Sequence, residues 1–210
     1  MSKGLFITFE GCDGSGKSTQ ISLIIDKLVA DGVDFLLTRE PGGTKISEKI
    51  REIILDINNF EMNPYTEMYL YAAARAQLTA DVIIPALNAG KTVICDRYLD
   101  SSIVYQGVGR ELGSAVEDVN THAVMGIEPD LTILLSIDPR EAISRATTKG
   151  ADRMEAEDIE YHLKVYEAYK KLAERFPNRI KDFDASGTIE EIHDLVWDVV
   201  KNKLHENEVG

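Results

Sequence analysis

Cysteine is scarce: Cys12 and Cys95 are the only two in 210 residues. Two cysteines cannot staple a disulfide scaffold, their spacing matches no zinc motif, and only four histidines accompany them. A reducing, cytoplasmic compartment is the expectation. Long apolar runs are also missing. No stretch approaches the roughly 18 residues that a membrane span requires. The N-terminal run Leu5-Phe6-Ile7-Thr8-Phe9 is too short for a signal-peptide core and stops at Glu10. Positive charge is in short supply, with 23 Lys and Arg against 36 Asp and Glu and a net charge of −13. That balance excludes general nucleic-acid binding, which depends on basic surfaces that displace phosphate counterions. It leaves room for a small phosphorylated ligand held by a few cations in one local pocket. There is no internal repeat and no low-complexity linker. What remains is an ordinary globular composition, 44 % hydrophobic and 28 % charged. The length fits one domain (1–210) that buries close to three quarters of its unfolded surface.

Short apolar runs alternate with helical patterns. Strands are predicted at residues 5–10, 33–38, 92–95, 131–137 and 179–183. Helices are predicted at 17–31, 45–57, 101–108, 114–125, from 139, 159–176 and 189–204. Pro64, with Asn63 as cap, opens a further helix that runs to Leu78 and continues, bent, past Pro85 to Asn88. Alternation of this kind, with nearly continuous apolar strands, predicts an α/β fold: a five-stranded parallel sheet with helices on both faces, a three-layer sandwich. Ligands of such folds bind at the carboxyl ends of the strands.

Directly after the first strand and before the first helix stands Gly11-Cys12-Asp13-Gly14-Ser15-Gly16-Lys17-Ser18, followed by Thr19. This is the P-loop pattern G-x-x-x-x-G-K-[ST] in its required context, so a P-loop NTPase fold that binds a nucleoside triphosphate is expected. The glycines let backbone N–H groups face a phosphate, Lys17 reaches the β and γ phosphates, and the Ser18 hydroxyl is offered to Mg²⁺. A GTPase switch would need an N/T-K-x-D guanine motif. Asn202-Lys203-Leu204-His205 and Thr148-Lys149-Gly150-Ala151 both lack the acid, and the D-x-x-G match at 184–187 comes too late.

Past the second and third strands lie Thr38-Arg39-Glu40-Pro41-Gly42-Gly43 and Asp96-Arg97-Tyr98. Arg39 and Arg97 form a plausible clamp for a second phosphate, because guanidinium can hold two oxygens at once. Tyr71 and Arg75, four apart, share a helical face and could hold a planar base, although taken alone core packing is the stronger explanation of Tyr71. A phosphate acceptor is itself a nucleophile and needs no general base. Cys12 and Cys95, both at strand ends, are expected to lie near each other. Cys12, at a helix N-terminus, is expected to have a lowered thiol pKa and to be sensitive to alkylation.

With the P-loop preceded by Phe9-Glu10, the Arg39–Gly43 and Asp96–Tyr98 segments and Tyr105-Gln106-Gly107, the chain resembles the bacterial type of thymidylate kinase over nearly its whole length. The resemblance implies transfer of the γ-phosphate of MgATP to dTMP, a homodimer formed through helices near 65–88 and 100–125, and no nucleic-acid or membrane partner. It implies that Arg39, Arg51 and Arg97 bind the acceptor phosphate and that Tyr71 stacks on thymine. Arg75, Ser102 and Gln106 would meet the base edge, and Tyr105 would pack on the deoxyribose. Asp13 would stand near the acceptor phosphate and Asp96 near Mg²⁺. The P-loop itself carries no extra basic residue, so the resemblance places the catalytic cation in a lid at about 145–156, with Arg153 leading and Arg145 and Lys149 assisting. The alternatives are another nucleoside monophosphate or deoxynucleoside kinase, or a nucleotide-binding regulator without transfer activity.

Overall fold

A computed structural model describes residues 4–146 and 152–209. Five strands, β1 (Phe6–Glu10), β2 (Phe35–Arg39), β3 (Thr92–Asp96), β4 (Leu131–Ser136) and β5 (Ile180–Asp184), form one parallel sheet in the order β2-β3-β1-β4-β5. β1 is central and pairs on one side with β3 (Phe6 opposite Val93) and on the other with β4 (Ile7 opposite Leu131). The helices are α1 (Lys17–Ala30), α2 (Lys45–Leu55), α3 (Pro64–Leu78), α4 (Ile84–Asn88), α5 (Leu99–Ser102), α6 (Ala115–Ala123), α7 (Pro139–Ala146), α8 (Ile159–Arg175) and α9 (Ile189–Val209).

Alternation along the strands sorts the core. Ile7, Phe9, Ile94, Ile133 and Leu135 face α1 and α9, against Ile21, Ile24, Leu28, Ile192, Val196 and Val200. On the other face, Phe6, Val93 and Cys95 pack with Leu78, Ile83 and Tyr98, while Leu134 packs with Val104, Tyr105 and the α8 residues Val165, Tyr169 and Leu172. Between these two apolar clusters runs a buried polar seam. Thr8 and Thr132 share a hydroxyl hydrogen bond of 2.8 Å, and Arg179 grips Asp100 through two nitrogens at 2.5 and 2.9 Å. Glu10 accepts from Tyr98 N, Ser101 Oγ and Tyr169 Oη. Buried polar groups persist only when so paired, and this seam fixes α5 and α8 to the end of β1.

Two predicted helices are wound more widely than an α-helix. Between α3 and α4 the chain takes a π turn at Thr79–Ile83, ahead of Pro85. Proline has no N–H and its ring crowds the carbonyl four residues back, so a wider turn accommodates it without breaking the rod. The stretch Ile103–Gly109, after α5, is likewise π-wound. The core of the expected lid, residues 147–151 with Lys149, lies outside the described residues.

Candidate active site

The loop after β1 depends on glycine. Gly11, Gly14 and Gly16 have φ of 136°, 81° and 90°. A Cβ on Gly11 would lie 2.4 Å from the Leu135 carbonyl oxygen, and one on Gly14 would lie 2.2 Å from that of Ala142. Gly16 caps α1 without a side-chain hydrogen bond, so the helix presents its first amides and positive dipole end to the loop. Lys17 folds back and donates to the carbonyls of Gly11 (3.0 Å) and Cys12 (2.9 Å). Burial and the neighbouring Arg97 lower its pKa. Loop residues Asp13 to Lys17, with the exposed Ser18 and Thr19, line a cavity of about 490 Å³. Arg39, Arg51, Asp96, Arg97 and Arg145 share it.

Its far wall is formed by Ala185, Gly187, Ile189 and Ile192. The D-x-x-G match at 184–187 therefore borders the phosphate loop without being a switch motif. Nothing in its composition signals this. Only the placement of β5 at the end of the sheet does.

A second cavity adjoins the first at Asp13 and Arg97. Its walls include Pro41, Arg51, Leu55, Tyr71, Ser101, Tyr105, Gln106, Asp152 and Met154. Asp13, Glu40, Arg51 and Arg97 line both cavities. Arg97 adopts φ 69°, donates to Gly11 O at 2.9 Å and to Asp13 Oδ1 at 2.8 Å, and lies 5.2 Å from the centre of the Tyr105 ring. Burial pushes the Asp13 carboxyl up, but the charges of Arg97 and Lys17 outweigh it and hold the group well below the usual carboxylate range. Of these two cavities Arg39 lines the first, and it is paired with Glu48 at 2.9 Å, while Arg51 donates to Pro41 O.

Two residues expected at the base edge sit elsewhere. Arg75 is 1 % exposed and all its donors are engaged: Nε and Nη2 with Glu40, Nη1 with Ser102 Oγ and Asn120 Oδ1, and Nη2 with Tyr98 O. Arg75 and Ser102 thus lie behind the second cavity and outside its wall. Burial raises the Glu40 carboxyl to about 7 even with Arg75 against it.

Arg153 also departs from expectation. It donates from Nε to Ile54 O at 2.7 Å and its Nη1 lies 2.7 Å from Glu67 Oε2, so it is absent from the phosphate cavity. A buried carboxylate captures the guanidinium, and that partner is 86 residues away in sequence. Arg145 does line the cavity, held by Ala185 O and Glu141. Glu67, 0 % exposed, escaped the sequence reading although it stands one helical turn before Tyr71. It accepts from Gln106 and Arg110 as well as pairing with Arg153.

The expectation of a lowered thiol pKa at Cys12 is corrected. Cys12 and Cys95 pack into different apolar clusters. Burial raises the Cys12 thiol, overriding the pull of Lys17 and Arg97.

Among the described residues no cluster of three or more acidic, histidine or cysteine side chains could cage a metal by itself. Asp96 nonetheless has a buried, unpartnered Oδ1 and lines the first cavity with Ser18. One carboxylate plus one hydroxyl suits Mg²⁺ completed by phosphate oxygens and water, so these residues fit that ion.

The family model for thymidylate kinase matches residues 9–196. A thymidylate kinase of Thermoanaerobacter sp. (strain X514) is 49 % identical over 203 residues, spanning 96 % of this chain and 100 % of that one. One from Oceanobacillus iheyensis is 45 % identical over 211 residues, spanning 99 % and 94 %. Among solved structures, the thymidylate kinase of Ehrlichia chaffeensis superposes with a TM-score of 0.75 at 30 % identity, covering 95 % of this chain and 99 % of that one.

Proposed function

The chain belongs to the thymidylate kinase family, and from that premise we propose that it transfers the γ-phosphate of ATP to dTMP, giving dTDP and ADP. One observation carries the reading: two cavities, one on the P-loop and one walled by Tyr71, Tyr105 and Gln106, meet at Asp13 and Arg97. A donor in the first and an acceptor in the second bring two phosphates together where an arginine already stands.

The chain's own groups divide the work as follows. The loop amides and the start of α1 hold the donor phosphates, and Lys17 supplies charge to the β and γ groups. Arg97 and Arg51, which line both cavities, hold the acceptor phosphate, with Arg39 reaching toward it from the first cavity, and the phosphate oxygen attacks in line without a general base. Asp13 keeps Arg97 oriented, and Tyr71, Tyr105 and Gln106 hold the nucleoside. The apolar residues Ile189 and Ile192 border the donor's base. Mg²⁺, held by Ser18 and Asp96, would neutralise charge on the donor phosphates. Arg145 stabilises charge on the transferring group in this proposal, and a lid at about 145–156 excludes water. Lys149 belongs to that lid. Arg153 acts at its hinge end, anchored on Glu67 in the structure described here.

Two further proposals concern context. No helix among the described residues is long and apolar enough to cross a membrane, and we place the enzyme in the cytoplasm. We also propose a homodimer. Tyr65 and Tyr69 of α3 are 52 % and 57 % exposed, with Ile46 and Ile53 of α2 also outside the core, which supports a contact through these helices.

The test is ADP release from MgATP with dTMP, dUMP, dGMP, dCMP, UMP, thymidine or no acceptor. Activity strongest with dTMP and weaker with dUMP is expected. Activity on thymidine or on purine monophosphates would overturn the acceptor assignment, and ADP release without acceptor would overturn the kinase reading.

A further inference from the structure

We propose that Glu67 is a positioning residue that fixes the side-chain amide of Gln106, so that the acceptor cavity presents a carbonyl oxygen to the base. This rests on the proposed dTMP site and adds to it the group that sets its hydrogen-bond polarity.

Glu67 is fully buried in the first turns of α3. Its Oε1 accepts from Gln106 Nε2 at 2.9 Å and from Arg110 Nε at 3.3 Å. Its Oε2 accepts from Arg110 Nη2 at 3.1 Å and lies 2.7 Å from Arg153 Nη1. Two guanidinium groups therefore hold one carboxylate, and a second acid, Glu157, anchors Arg110 from the far side at 2.5 Å. A carboxylate in this setting has only lone pairs to offer. The amide of Gln106 must turn its NH₂ toward Glu67, since the flipped rotamer would set oxygen against oxygen in a buried site. Gln106 Oε1 takes no hydrogen bond from the described residues and is not among the sealed polar atoms, so it is open to the cavity that Gln106 lines.

A carbonyl at that position selects an N–H on the base edge. The imide N–H of thymine or uracil supplies one, whereas the ring nitrogen of cytosine at the same place is a bare acceptor. The same carboxylate ties together three walls of the cavity. These are α3 with Tyr71, the π-wound stretch with Tyr105 and Gln106, and the segment that carries Asp152 and Met154 beside Arg153. Base recognition is thereby linked to the docking of Arg153.

The test compares dTMP and dCMP as acceptors for wild type, Glu67→Gln, Gln106→Met and the double variant. Glu67→Gln keeps the shape but lets the Gln106 amide turn over. The expected result is a fall of about tenfold to hundredfold in the ratio of kcat/KM for dTMP over dCMP. In the Gln106→Met background, Glu67→Gln should add nothing to that ratio. An unchanged ratio in Glu67→Gln, or an equal effect in both backgrounds, would overturn the proposal.

A measurement on the wild type stands independently of folding of the variants and of the substrate. The side-chain NH₂ signals of Gln106 in ¹⁵N-labelled protein, identified by their loss in Gln106→Met, should exchange slowly with solvent before any nucleotide is added. Rapid exchange would show the NH₂ facing the cavity and would sink the idea. If wild type fails to phosphorylate dTMP, the functional reading falls while the exchange measurement still judges the amide orientation.

Discussion

Arg97 sits at φ 69°, a left-handed conformation that costs a non-glycine residue roughly 1–2 kcal/mol. The strain is offset by four contacts from one guanidinium: Gly11 O, Asp13 Oδ1, Ser101 Oγ and the Tyr105 ring. Lysine cannot reproduce that planar fork. Arg97→Lys should therefore lower kcat for dTMP by about 100-fold, on the scale of losing one charge-stabilising donor. The check is a steady-state ADP assay alongside circular dichroism. Retention of more than a third of wild-type kcat would remove Arg97 from the phosphate contacts.

Cys12 gives a second prediction, with a definite sign. Burial raises its thiol pKa above the ordinary 9.0, so the thiolate is rarer than in a free cysteine at any pH below that value. Alkylation by iodoacetamide at pH 7–8 should be slower than for a small free thiol, and it should rise about tenfold per pH unit up to pH 9. Faster labelling of Cys12 at pH 7 would restore the lowered-pKa expectation. That expectation came from the helix N-terminus, which is legible in sequence. The burial that wins is not, because Cys12 is covered by residues from α8 and from the π-wound stretch. Arg153 and Arg75 teach the same lesson. Sequence spacing shows where an arginine is anchored, but the carboxylate it chooses comes from a distant segment.

Along whole elements the sequence is a better guide. Short apolar runs specify the inner strands β1, β3 and β4, and the order of β and α units specifies a parallel sheet. The expected cap Asn63 accepts from Tyr65 N, and Thr44 and Asp158 cap α2 and α8 in the same way. Helical width was not legible. The π turn at Thr79–Ile83 reconciles Pro85 with a continuous rod, and the periodicity of that short stretch fits either winding. The junction of the P-loop with α7 was equally hidden. Gly14 packs so closely on the Ala142 carbonyl that an added Cβ would lie 2.2 Å from it, whereas Gly16 has open space. Both have left-handed φ. Gly16→Ala should cost about 1 kcal/mol from backbone strain alone. Gly14→Ala must also push back α7, the helix that carries Arg145, and should cost about 2 kcal/mol or more. Urea unfolding of the two variants compares them directly. Equal costs would mean that the P-loop and α7 move apart freely.

For the molecule as a whole, the net charge of −13 and the cationic cleft describe different surfaces. Arg39, Arg51, Arg97, Arg145 and Lys17 converge at the strand ends, while acidic residues dominate elsewhere. The distribution concentrates positive potential where phosphates enter. On the opposite side of α3 from Glu67, the chain leaves Tyr65 and Tyr69 half exposed, one helical turn apart. Two tyrosines spaced by four form one ridge, and α2 lies alongside with Ile46 and Ile53. A symmetric contact would set this ridge against its own copy, so a single substitution appears twice in the interface. Tyr69→Glu should therefore place two like charges in that contact. Wild type should sediment at twice the 23.4 kDa chain mass, and Tyr69→Glu should shift toward the chain mass with its circular dichroism unchanged. Tyr71 reaches the acceptor cavity from α3 itself and Gln106 from the π-wound stretch packed against it, so loss of the dimer should also raise KM for dTMP. A wild type that sediments as a single chain at micromolar concentration would refute the homodimer and leave the kinase assignment intact.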